Sequence, residues 1–320
     1  MQKLLNDKNK KPLPKAIYIL LALSISVVWG FGFLTVDYAT GAGLGEWSLV
    51  GVRFLLAAVL IYAVRFCTTK KTGNKKKFRK NEVLWGSVVG AVNFFGFLFQ
   101  TTSLTGAGKT DTARCALFTS AYVVLVSIAS CVLRKKFRIK AVLDALLFFG
   151  GMMILNNPFT GNPLKSGDFF AILCSVFFAA QILLVDKAKN TDFLNFNIVQ
   201  MATMGTMGVI GALFTDIRSV VALKDSLALV AVLYLALFSS AYAYIVQMLV
   251  QKRLSESLSA ILLSLEAMAS VLFSLAFGYA KFSLPLLLGG GVMIIATLSA
   301  SLSEGKEEKE KGKEKGKEKE

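Results

Sequence analysis

Apolar runs of about twenty residues, each closed by charged or turn-forming residues, recur along the whole chain, and a helix needs a run of that length to cross a hydrocarbon layer of about 30 Å. They fall at 17–36, 49–66, 83–102, 113–133, 141–155, 169–185, 198–214, 227–250, 258–280 and 284–302, the fifth being short. Composition agrees, with 55% of the 320 residues hydrophobic and a mean hydropathy of +0.60, above what soluble chains normally show. The expectation is an all-α integral membrane protein of about ten transmembrane helices. The first run is read as a span and not a secretory signal, because its apolar core is longer than a signal needs and carries Trp29, Phe31 and Phe33.

The charges then orient the chain. Lys and Arg crowd into the N-terminal segment 1–16, the stretch 65–80, the stretch 134–140 and the tail. The alternate connections hold only Lys109, Arg114, Lys165, Arg218, Lys224 and Lys281. Positive loops stay in the cytoplasm, so both termini are expected there. The net charge of +16 fits anionic membrane lipid rather than nucleic acid, because it lies in short loops beside spans. The tail 303–320 holds Lys and Glu in equal numbers and reads as a disordered, solvated extension.

Histidine is absent, Cys115, Cys131 and Cys174 lie singly inside spans, and Cys67 lies at a cytoplasmic end. No metal site, cofactor or disulfide framework is expected from such a set. No GxxxxGK[ST] loop occurs, so ATP is not the direct energy source.

Ten spans divide into two halves of five. Laid over each other, SVVWGFGFLTVDYA at 26–39 and SVFFAAQILLVDKA at 175–188 share Ser, Val, Leu, Val, Asp and Ala. An odd number of spans per half places the copies in opposite orientation, the geometry of inverted repeats. The expected organisation is a repeat over 17–155, an external connection over 156–168 and a second repeat over 169–302.

WGFGF at 29–33 followed by VRFLLAAVLI at 52–61, FQTTSL at 99–104, ALFTSAYVVLV at 116–126, FSSAYAYIVQMLVQKRLS at 238–255 and AILLSLEAMASVLFSLAFG at 260–278 together resemble the EamA-type members of the drug/metabolite transporter superfamily. The chain departs from that pattern at Asp37, at Ala267 and at Gly278 with Tyr279. The resemblance implies a secondary transporter in a bacterial inner membrane. It further implies export or exchange of an amino acid, nucleoside or related metabolite by alternating access.

Polar side chains inside apolar helices are costly unless they face protein or water, so they mark a pathway. Asn93, Gly96, Gln100 and Ser103 share one helix face; Ser240, Tyr244, Gln247 and Gln251 share another; Ser259, Glu266, Ser270 and Ser274 a third. The competing reading is that small residues such as Gly86 and Gly90 serve close helix packing. Depth selects Asn93, Tyr122, Ser240 and Glu266 near the midplane, with Gln100 toward the outside and Gln181, Tyr244 and Gln247 toward the cytoplasm. Thr119 and Trp29 complete the expected substrate-binding set. Arg53 lies near the outer end of its helix, where it is expected to snorkel to water or to pair with Asp37 as a gate. Glu266, deep in the ninth span, calls for protonation, a wet cavity or a cationic partner, which makes a substrate amino group or proton coupling natural expectations. A membrane enzyme and a non-transporting scaffold or receptor are the alternatives. The missing His and the lack of clustered carboxylates weigh against the enzyme.

Overall fold

The computed structural model describes residues 14–72, 77–133, 138–156, 163–188, 191–278 and 281–317. Most of the N-terminal segment 1–16 and parts of the Lys-rich stretch 65–80, of 134–140 and of the connection 156–168 lie outside these residues. Every regular element described is helical: α1 Lys15–Gly41, α2 Glu46–Thr72, α3 Lys80–Ser103, α4 Thr112–Leu133, α5 Ile139–Asn156, α6 Ser166–Lys187, α7 Phe193–Phe214, α8 Ser226–Gln251, α9 Glu256–Ala276 and α10 Leu284–Lys317. Among the described residues nine are long and apolar enough to cross a membrane. The 18-residue α5, which covers the short fifth run, is not one of the nine, so the structure supports the all-α membrane fold without fixing the count at ten. Backbone N–H groups at the first turns of α4, α7, α8 and α9 are capped by Asp111, Asp192, Asp225 and Ser255, each beside a loop.

Large apolar residues point outward from the bundle, among them Leu20, Val59, Phe66, Val132, Phe214 and Leu298, while Asn93, Ser240 and Glu266 point inward. Lipid tails give helices no hydrophobic reason to associate, so close packing of small residues takes over. At the α2–α7 crossing, a Cβ on Gly208 would sit 2.5 Å from the Gly51 nitrogen, and one on Gly51 would sit 2.8 Å from the Val209 nitrogen. The α5–α10 crossing repeats the device, with a Gly289 Cβ falling 2.4 Å from the Leu155 nitrogen. Gly86 and Gly90 also serve packing, against Val199 and Gln200 of α7. Replacing Gly208 with Ala is expected to cost about 1–3 kcal/mol through overpacking. A lowered melting temperature in detergent checks this, and an unchanged one contradicts the close crossing.

Three helices are irregular near mid-depth. α4 turns at Ser120 just before Tyr122, α9 turns at Leu265 just before Glu266, and α8 widens into a π stretch over Leu235–Tyr242. Irregular backbone at membrane depth persists only where protein or a cavity surrounds it. α10 runs past Ser303 as helix to Lys317, where the sequence reading places a disordered tail. Lys and Glu are strong helix formers, and in this segment they are broken only by Gly305, Gly312 and Gly316.

Candidate functional site

The irregular stretches of α4, α8 and α9 converge with α1, α2, α3 and α6 on a small central cavity. On α1, close approach at Gly32 brings Trp29 against the π stretch, where its Nε1 donates to the Ser239 carbonyl at 2.9 Å. Its ring lies 5.8 Å from that of Tyr244. The π turn also presents two hydroxyls to α2. Arg53 donates from Nε to Ser240 Oγ at 2.7 Å and from Nη2 to Ser239 Oγ at 2.9 Å. Its guanidinium lies over the rings of Phe97 and Phe54, at 4.6 and 4.9 Å from their centroids.

Glu266, also on the cavity wall, accepts from the Tyr122 hydroxyl at 3.5 Å. Asn93 Nδ2 donates to the Tyr244 hydroxyl at 2.7 Å and so fixes that ring from behind. Gln247 Nε2 donates to Gln181 Oε1 at 3.2 Å, which leaves Gln181 Nε2 and Gln247 Oε1 without partners among the described residues. The wall thus holds a free donor and a free acceptor side by side.

Of the expected substrate-binding residues, Trp29, Gln100, Tyr122, Gln181, Tyr244, Gln247 and Glu266 line the cavity, and Arg53 joins them. Asn93 and Ser240 stand one layer back, holding Tyr244 and Arg53. Thr119 lies away from the wall with Cys174 Sγ at 3.3 Å, because the turn at Ser120 separates it from Tyr122. Ser239, Phe97 and Phe178 were not singled out by sequence reasoning. For Ser239 a signal existed in the adjacent serines of the π stretch.

The expected Asp37–Arg53 gate is not formed. Asp37 pairs with Lys109 at 3.1 Å on the exposed rim, whereas Arg53 is buried at 3% exposure. Two hydroxyl acceptors and two aromatic faces inside outweigh the route to interfacial water that the depth of Arg53 suggested. Arg114, also expected near the outer surface, is buried against Asp168 at 2.7 Å. Exchanging the charges at positions 37 and 53 is therefore expected not to rescue the single reversals, while exchanging those at 37 and 109 leaves melting within about 1 kcal/mol of the parent. Rescue by the 37/53 exchange in a transport assay contradicts this geometry.

Two successive stretches, 16–157 and 165–302, match the family model described as the EamA-like transporter family. The chain belongs to the EamA-like transporter family. An uncharacterized transporter of Archaeoglobus fulgidus is 26% identical over 267 residues, covering 82% of this chain and 79% of that protein. A solved crystal structure matches with a TM-score of 0.70 at 15% identity, covering 89% of this chain and 98% of its own, which shows a shared fold. This EamA-like protein is accordingly an integral membrane transporter.

Proposed function

We propose that this EamA-like transporter moves a small zwitterionic metabolite of the amino-acid type by alternating access, as an exporter or exchanger. The observation that carries the reading is that a guanidinium, Arg53, and a carboxyl group, Glu266, line one buried cavity. Among the described residues no carboxylate lies within ion-pair distance of Arg53. Isolated charges at membrane depth are costly. A carboxylate on the guanidinium and an ammonium on the Glu266 carboxyl compensate both at once, and the solute remains net neutral during crossing. The remaining wall suits the rest of such a molecule. Phe33, Phe97, Phe178 and the Trp29 ring face an apolar side chain, while Gln100 and the free amide atoms of Gln181 and Gln247 supply hydrogen bonds.

When the ammonium leaves, a proton on Glu266 replaces it, which couples the cycle to protons. The two family-model stretches are taken as inverted five-helix halves that rock about the cavity. In this reading both termini lie in the cytoplasm, which the Lys-rich loops support, and the membrane is a bacterial inner membrane, as the family resemblance suggests. Thermal stability of the purified protein tests the binding step, because a ligand that binds only the folded state raises the melting temperature. Amino acids are expected to raise it. Their decarboxylated amines and their desamino acids are expected to do so less, and nucleosides not at all. Stabilisation by nucleosides or simple amines alone contradicts the zwitterion reading.

A further inference from the structure

The central cavity accounts for only part of the buried amide chemistry. Asn197, Gln200 and Gln251 lie outside its wall, each at most 2% exposed. Asn197 Oδ1, both polar atoms of Gln200 and Gln251 Oε1 have no partner among the described residues. With Gln181 Nε2, Gln247 Oε1 and Asn93 Oδ1 they make up a series of amide atoms that lack a partner among the described residues. On α7, Asn197, Gln200 and Met204 share a face at helical spacing. Met204 Sδ accepts from Asn93 at 3.4 Å, beside the cavity residue Tyr244. Asn197 Nδ2 meets Met248 Sδ of α8 at 3.7 Å, and at the end of α8 Gln251 Nε2 reaches the Ile182 carbonyl at 3.3 Å. The series thus runs between α3, α6, α7 and α8 from the cavity to the end of the bundle that carries the Lys-rich loops.

In the opposite half of the bundle several buried polar side chains are paired. There Ser48 bonds to Asp216, Thr101 to the Phe97 carbonyl, Ser103 to the Gln100 carbonyl and Thr110 to Asp168. α2 and α7 are sealed by Gly51, Gly205 and Gly208. If the amides served packing alone, Leu or Met would fill the same space without unmet hydrogen bonds. Buried hydroxyls such as Ser127 and Ser130 can turn back onto their own helix, but a glutamine amide whose two polar atoms are both unmet has no such simple remedy.

We propose that Asn197, Gln200 and Gln251 line the inner half of the translocation path, closed in this conformation, and that they pass an uncharged or net-neutral polar solute between the central cavity and the side of the Lys-rich loops. This rests on the carrier reading above and adds residues to it. The groups are all neutral and offer donors and acceptors together, so the path suits a zwitterion or polyol with its water and opposes a solute of net charge. Opening requires only that the cytoplasmic part of α8 leave α6 and α7, breaking the long amide contacts at Gln181, Ile182 and Met248.

The test needs no substrate. In protein whose four cysteines, Cys67, Cys115, Cys131 and Cys174, are replaced by Ser or Ala, single substitutions Asn197→Cys, Gln200→Cys and Gln251→Cys are exposed to a membrane-impermeant cationic methanethiosulfonate. The reagent is added to one side at a time of sealed proteoliposomes. Ala212→Cys, buried on the sealed half of α7, is the control. If an inward-open state is visited even as a minor population, the three positions react about tenfold or more faster than the control, and only from the side of the Lys-rich loops. Reaction no faster than Ala212→Cys from both sides overturns the proposal, whether or not zwitterions are the substrate. A second variant guards against misfolding of the cysteine set. Gln200→Leu is expected to raise the melting temperature while slowing flux of labelled alanine at least about tenfold, and unchanged flux counts against the path.

Discussion

Replacing Arg53 with Ala is expected to lower affinity for an amino acid about 10- to 100-fold and to abolish net transport, while the protein still inserts and folds. The guanidinium is the fixed cation of the cavity wall, and charge-assisted, bidentate recognition of a carboxylate is the strongest polar contact that the site can offer. Its present bonds to Ser239 and Ser240 hold the fork in place. Without Arg53 those hydroxyls can turn to carbonyls of their own helix, so the loss falls on binding more than on folding. Arg53→Lys keeps the charge but lacks the planar fork that grips a carboxylate through two parallel bonds, so an intermediate phenotype is expected. Isothermal titration with an amino acid and with its decarboxylated amine separates the roles. Arg53→Ala should erase the preference for the amino acid over the amine. Retention of that preference places the carboxylate elsewhere.

Glu266→Gln is expected to remove the complementary half of the recognition. The amide keeps the shape and the contact with Tyr122 at 3.5 Å but can neither balance an ammonium nor exchange a proton. Affinity for the amino acid should fall about tenfold or more, whereas affinity for the desamino acid should change little. Transport that varies with pH in the parent should become flat with pH in the variant. A variant with the parent's selectivity and the parent's pH profile returns Glu266 to a structural role between α4 and α9. The two substitutions thus predict opposite changes of selectivity, which a general loss of stability cannot imitate.

The membrane fold was legible because lipid leaves few choices: runs long enough to cross, loops rich in Lys, and polar residues kept off the lipid face. The same cost argument correctly drew Tyr122, Gln181, Tyr244, Gln247 and Glu266 to one cavity, since each is expensive anywhere else. It missed Asn197 and Gln200, although the same rule applied to NFNIVQ at 195–200 marks them. Arg53 was misplaced for another reason. Depth along a helix fixes where Cα sits, but a long side chain chooses between water and interior by what acceptors it finds, and the acceptors here come from a π stretch in α8. LALFSSAY at 235–242 reads as ordinary apolar helix, so neither the stretch nor the pairing of its serines with Arg53 could be foreseen. Thr119 failed because a local turn at Ser120 rotates α4 between it and Tyr122.

The most direct measurement is counterflow in proteoliposomes loaded with an unlabelled amino acid, with the labelled compound outside and parallel vesicles offered nucleosides or amines. The account predicts transient accumulation of the labelled amino acid in wild-type vesicles and none in Arg53→Ala or Glu266→Gln vesicles of equal protein content. Accumulation of a nucleoside or an amine but of no zwitterion, or equal accumulation by all three proteins, contradicts it.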